Sequence, residues 1–139
     1  LKNILNFSKL VITNGNLERA TSTSETSIWF ISFILNENNW FIATNINSEN
    51  QPDQLNIYNS AKNDLDYKFI VKYLNHEINE IVIQDVEFDR FKGDAGFKCL
   101  IYAKDLSNFK FPYKFRYRDP RRHVLKCFLE QKFKECDKY

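Results

Sequence analysis

The sequence predicts a mainly β chain with one C-terminal α-helix; the alternative is an α+β arrangement, a curved sheet carrying packed helices. Three observations predict it. Residues 28–35 are an apolar run, residues 36–39 (Asn-Glu-Asn-Asn) supply a polar turn, and residues 40–44 return apolar, the pattern of a β-hairpin. Phe109, Phe111, Tyr113, Phe115 and Tyr117 alternate with Lys110, Pro112, Lys114, Arg116 and Arg118, a period of two with one aromatic and one cationic face. Asp119-Pro120 then sets a capping residue and a first-turn proline ahead of Leu125, Phe128, Leu129, Phe133 and Cys136. Those five residues share one helical face, so the helix is expected to dock through them.

Taken in chain order, residues 10–13 read as a short strand and 14–25 as a polar loop rich in Thr, Ser and Asn. The hairpin 28–44 is expected to carry Trp29 and Trp40 partly in the core. Residues 45–53 are polar loop, and 54–58 fit a short strand. Residues 64–74 fit two periods: Leu65, Phe69 and Tyr73 make a helical stripe, while Phe69, Val71 and Tyr73 make a strand face. Residues 80–88 and 97–103 read as strands joined by the charged segment 89–94. The expected organisation is one domain over 1–139, a β core in 1–118 and a helix in 119–136, with no internal repeat and no long linker.

With 139 residues and 16.6 kDa, the chain is one domain or a piece of a longer protein. An apolar content of 43%, with 13 Phe, 7 Tyr and 2 Trp, fills a sizeable core and excludes general disorder. Gly15, Gly93 and Gly96 assemble no glycine-rich phosphate loop. A net charge of +2 names no partner. No run is long enough to span a membrane, and no signal-peptide pattern opens the chain. Methionine is absent even at position 1, which reads as a processed or excised chain. No cofactor is implied.

Candidate chemistry is sparse. His76 and His123 have no cysteine or second histidine at ligand spacing, so both read as surface residues. Cys99, Cys127 and Cys136 form no C-x-x-C pair and read as small buried apolar residues. Cys127 follows His123 by one helical turn, which brings imidazole and thiol together, although the position borders the apolar face. Between 110 and 126, Lys110, Lys114, Arg116, Arg118, Arg121, Arg122 and Lys126 stand against Asp119 alone, a local balance of +6. Such a face binds phosphates. Its aromatics lie on the opposite face, however, which favours a solvated cationic strand that meets an acidic protein. The carboxylates Glu77, Glu80, Asp85, Glu87, Asp89 and Asp94 offer an acid–base pair. A solvated strand stripe through Asp85, Glu87 and Asp89 explains them more simply.

Ser27-Ile28-Trp29-Phe30-Ile31 followed by Asn39-Trp40-Phe41-Ile42-Ala43-Thr44-Asn45-Ile46-Asn47 resembles the opening hairpin of trypsin-like serine proteases. More narrowly it resembles the mycoplasma immunoglobulin-protease family, lipoprotein-like surface proteins with a chymotrypsin-type core. The resemblance covers roughly residues 10–103. It implies an antiparallel barrel-like first half and a cell-surface or membrane-associated setting. It also places Asn47 at the position of the catalytic histidine and Asp94, ahead of residues 97–103, at the position of the triad aspartate. Asparagine accepts no proton from a serine near neutral pH, and no nucleophile-bearing second barrel follows. Gly93-Asp94-Ala95-Gly96 holds alanine where the protease tetrapeptide holds serine.

The expectation is therefore a catalytically degenerate domain without peptidase activity, acting through protein contacts, with the subunits of a larger assembly as candidate partners. Lys110, Lys114, Arg116, Arg118, Arg121 and Arg122 are its expected partner-binding residues. An active peptidase completed elsewhere, and a small nucleic-acid-binding module using 110–118, are the alternatives.

Overall fold

A computed structural model describes residues 4–13, 16–19, 29–36, 39–74 and 77–139. Six strands form one sheet: β1 (Ile4–Thr13), β2 (Asn16–Arg19), β3 (Trp29–Asn36), β4 (Asn39–Thr44), β5 (Gln54–Tyr58) and β6 (Glu80–Ile83). The helices are α1 (Lys68–Leu74), α2 (Asp94–Ser107) and α3 (Pro120–Glu130), with a 3-10 turn at Pro112–Lys114. The strand order is β2-β1-β3-β4-β5-β6. Neighbours are antiparallel except β5 and β6, which are parallel and joined through α1.

The sheet has two ends, β2 and β6, and is not closed into a barrel. The architecture is α+β, the alternative of the two expected classes. The mainly β barrel is corrected, because a parallel β5-α1-β6 unit and two further helices occupy the second half of the chain.

The hairpin over 28–44 is present as β3 and β4, paired from Ile31↔Thr44 to Asn36↔Asn39. Strand parity sorts its side chains cleanly between two cores. Ile31 and Ile42 join Tyr58, Cys99, Tyr102 and Leu106 under α2. Phe30, Ile34, Phe41 and Ala43 join Leu55, Ile57, Ile70 and Leu74 over α1. A strand buried on both faces reads as a continuous apolar run, which is why 28–35 shows no alternation. Each of these fully buried large side chains contributes about 1.5–3 kcal/mol of burial free energy. Trp29 is half-buried, and Trp40 is exposed at the border, its indole lying against Gly96.

Several other boundaries move. Within 14–25, Asn16–Arg19 pairs with β1 rather than looping. Thr13↔Asn16 leaves two residues between the strands, the length for which Asn14-Gly15 is a hairpin signal. Residues 64–74 resolve as helix over Lys68–Leu74, the stripe reading. The strand expected over 80–88 stops at Ile83.

The strand expected over 97–103 is the middle of α2. A short apolar window does not separate strand from helix, whereas Ala95, Cys99, Tyr102 and Leu106 repeat at helical spacing and face the sheet. Gly93, at φ 90°, supplies the left-handed residue from which this helix starts.

Residues 109–117 form no strand of the sheet. Pro112 has no amide proton to donate to a ladder and opens the 3-10 turn instead. The alternation survives in part as exposure: Lys110, Lys114, Arg116 and Arg118 are exposed, while Phe111, Tyr113 and Phe115 are half-buried on the α2 core and Tyr117 is buried; Phe109 is exposed and Pro112 buried, against the pattern. The last helix ends at Glu130, not 136, where Gln131 turns left-handed at φ 54°. Residues 131–139 then run back to form the Tyr117↔Lys138 bridge.

Candidate functional site

The two positions that resemble triad members serve different local structures. Asn47 is buried in the loop between β4 and β5. Its Oδ1 accepts from the amides of Glu49 and Gln51, both at 3.0 Å. Its Nδ2 donates to the carbonyls of Asn45 at 3.1 Å and Gln51 at 2.7 Å. The side chain is thus the staple of its own turn, with every hydrogen-bonding direction committed. Asn47→Ala removes all four of these bonds, three of them only part-buried, and is expected to cost about 1–2 kcal/mol, read as a lower urea midpoint. A loss below about 0.5 kcal/mol would contradict the staple.

Asp94 opens α2 rather than a strand. Its carboxylate accepts from Arg121 Nε and from the Phe91 amide at 3.0 Å. Burial alone would raise the Asp94 carboxyl, but the bonds from Arg121 and Phe91 and the Arg121 charge outweigh it and hold the pKa below the ordinary value. Arg121 also donates to the Lys92 carbonyl and covers the Phe97 ring. This guanidinium ties α3 to the start of α2. The tetrapeptide Gly93-Asp94-Ala95-Gly96 is a helix start whose last glycine admits Trp40.

The six expected partner-binding cations split into two groups. Lys110 pairs with Glu135 at 2.8 Å, Arg116 with Glu87 at 2.9 Å, and Arg121 with Asp94. Lys114 lies over the Phe111 ring and Arg118 over the Tyr139 ring. Arg122 is exposed beside two shallow clefts on the open side of α3. Half of the cationic stripe is therefore neutralised by the chain's own carboxylates.

Those carboxylates do not form an acid–base pair. Asp85, Glu87, Asp89 and Asp94 each meet a different cation: Lys62, Arg116, Lys98 and Arg121. The parity argument fails because 84–93 is not strand; it is a connector pinned by three ion pairs, at Asp85, Glu87 and Asp89, while Asp94 is held where α2 begins. Glu80 accepts from Gln54 at the start of β6, and Glu77 is exposed.

His76 lies outside the described residues. His123 is not a free surface residue: its Nε2 lies 2.7 Å from the Lys134 carbonyl and 3.3 Å from Cys127 Sγ. The one-turn spacing did bring imidazole and thiol together. A neutral imidazole that donates Nε2–H to the carbonyl has no lone pair left on that nitrogen for the thiol proton, so the contact does not activate Cys127. All three cysteines are buried and unpaired. Burial drives the Cys99 thiol far up, and burial with Asp137 nearby pushes Cys136 up to about 11. Both stay protonated and inert. No group of three metal-ligating side chains comes together among the described residues.

Two features escaped sequence reading. The first is buried charge. Lys98 and Asp105 sit inside, on α2, and are visible as anomalies only once the helix is recognised and each falls beside its apolar face. The second is the orientation of α3. It docks through Val124 and Cys127, so the face expected to dock points to solvent: Leu125 is 59%, Phe128 82% and Leu129 76% exposed. Asp119 stands at its N-cap with a left-handed backbone, φ 45°, and makes no side-chain cap.

The fold and site together define an α+β domain with ion-paired interior charges and one apolar helix face turned outward. No protein-family model, characterised protein or solved structure matches the chain. No helix among the described residues is long and apolar enough to cross a membrane.

Proposed function

We propose that the chain is a non-catalytic protein-interaction domain whose contact surface is the outer face of α3. The observation that carries this reading is the stripe of Leu125, Phe128 and Leu129 on adjoining turns, exposed on a helix already anchored through its other side. Three large apolar side chains on one outward face are the form that helix-in-groove recognition takes. Arg122 and Lys126 border the stripe one turn apart, and neither has an ion-pair partner among the described residues. The complementary partner is a protein groove with an apolar floor and a rim of Asp and Glu. Nucleic acid fits less well, because Lys110, Arg116 and Arg121 are already paired and Phe111, Tyr113, Phe115 and Tyr117 face inward. Peptidase chemistry has no support in the roles that Asn47 and Asp94 play.

The test pairs the wild-type protein with the Phe128→Glu, Leu129→Glu variant as baits, then reconstitutes each retained partner from purified components. Folding stability should change by no more than about 0.5 kcal/mol, since both positions are exposed. A reconstituted complex should lose at least about 2 kcal/mol of affinity. Partners that bind the variant as tightly as the wild type would overturn the proposal. So would sub-micromolar binding of a random single-stranded oligonucleotide at about 150 mM salt, lost on changing Arg116 and Arg118 to Glu.

A further inference from the structure

A crevice lies beyond the carboxyl ends of β5 and β6, apart from the α3 surface. The two strands are parallel neighbours, yet the chain leaves them toward opposite faces of the sheet. From β5 it passes to α1, whose Ile70 and Leu74 pack on one face. From β6 it passes to α2, whose Cys99 and Tyr102 pack on the other. Adjacent parallel strands whose connections diverge in this way leave a crevice beyond their carboxyl ends, the usual ligand position in open sheets. Here the crevice has a volume of about 250 Å³, bounded by the segment after β5 and by the exit of β6.

Its floor is preorganised. Asn59 is buried, and its Oδ1 accepts from the Ala61 amide. Its Nδ2 donates to Asn63 Oδ1 at 2.7 Å and to the Tyr67 hydroxyl oxygen at 2.8 Å. With that oxygen accepting, the Tyr67 O–H proton and the Asn63 amide have no acceptor among the described residues, and both side chains line the crevice. The Tyr67 ring is fixed by edge contact with Phe41, centroids 5.3 Å apart. Burial raises the Tyr67 pKa, the Asn59 bond opposes this and the Asp64 charge adds to it, so the hydroxyl remains a donor at neutral pH. At the mouth, Lys62 meets Asp85 at 2.9 Å, and Asp64 is exposed nearby. The segment after β5 therefore offers the donors, a cation and the Asp64 carboxylate, and the exit of β6 offers the Asp85 carboxylate.

We propose that this crevice binds a small zwitterion of the free α-amino-acid class. The ligand's carboxylate accepts from Lys62, the Tyr67 hydroxyl and the Asn63 amide, while its ammonium lies against Asp64 and Asp85. A simple anion competes with Asp85 for Lys62 and meets the Asp64 charge, and a simple cation leaves the Tyr67 hydroxyl and the Asn63 amide without acceptors. The volume admits an amino acid with a modest side chain.

The test titrates the isotope-labelled protein with single free α-amino acids and follows the amide signals of residues 59–67 and 83–85 by NMR. Saturable shifts confined to those residues are expected for at least one amino acid. The matching N-acetyl derivative, which lacks the ammonium, and the matching primary amine, which lacks the carboxylate, should each bind about tenfold more weakly or worse. Lys62→Gln, at a partly exposed position, should weaken binding by a similar factor. Tyr67→Phe should do the same if Lys62→Gln proves unstable. The proposal fails if no amino acid gives saturable shifts at millimolar concentration, if the two derivatives or glycerol bind equally well, or if Lys62→Gln binds like the wild type.

Discussion

Asp105→Ala is expected to destabilise the protein by about 3–5 kcal/mol, the cost of breaking a buried charge pair from one side. Asp105 is fully buried on α2. Its Oδ2 accepts from the Tyr117 hydroxyl at 2.5 Å, and Lys138 Nζ lies 3.4 Å from the same oxygen. The alanine variant leaves a buried phenol and a largely buried ammonium without their acceptor. Burial first, and then the Asp105 bond, push the Tyr117 pKa far up, so the phenol remains a donor in need of a partner at every physiological pH. The network also fastens the tail, because Tyr117 bridges to Lys138 and Arg118 donates its amide to the Asp137 carbonyl. Asp105→Asn keeps an acceptor for Tyr117 but loses the charge for Lys138, and should cost about 1.5–3 kcal/mol. Urea unfolding with an unchanged slope is the measurement. A loss under about 1 kcal/mol for Asp105→Ala would remove the network from the account of stability.

Lys98→Met is the second large effect, at about 3 kcal/mol, the lower end for a broken buried pair because Asp89 keeps some contact with water. Lys98 Nζ donates to the Phe88 carbonyl at 2.9 Å and lies 3.4 Å from Asp89 Oδ1. Methionine preserves the packing of the stem and removes only the charge and the donors. The variant therefore isolates the polar contribution. Adding Asp89→Leu should recover much of the loss, since the orphaned carboxylate is then gone. If the double variant is no more stable than Lys98→Met alone, the pair is not what anchors the 84–93 connector to α2.

The two networks share a logic with the ion pairs along 85–94. In each, a helix residue or a cation distant in sequence fixes a stretch of chain that has no ladder of its own. Lys98 holds residues 87–89, Arg121 holds 91–94, and Lys138 with Asp105 holds the tail. The connector appears as a run of acids in the sequence because its partners lie elsewhere: 23 residues away for Asp85 and 29 for Glu87.

Local pattern determined the β3–β4 hairpin, the short strand at β5, the helix start after Asp119 and the inward face of the aromatics from Phe111 to Tyr117. Each of these depends on residues close in sequence: a polar turn between apolar runs, a proline at a first helical position, an alternation of side chains. Local pattern also brought His123 and Cys127 within one turn of each other. What only the tertiary structure decided was which face of a regular element meets the core. Leu125, Phe128 and Leu129 do share a helical face, but α3 packs through Val124 and Cys127 because α2 and the returning tail lie on that side. Residues 97–103 fit either a strand or a helix until the sheet beneath them selects the face made by Ala95, Cys99, Tyr102 and Leu106. The open sheet in place of a barrel likewise follows from α1 returning the chain parallel to β5, a pairing between strands separated by a helix. The physical reason is common to all three cases: periodicity is written by neighbouring residues, whereas burial is assigned by elements that the local sequence does not contain.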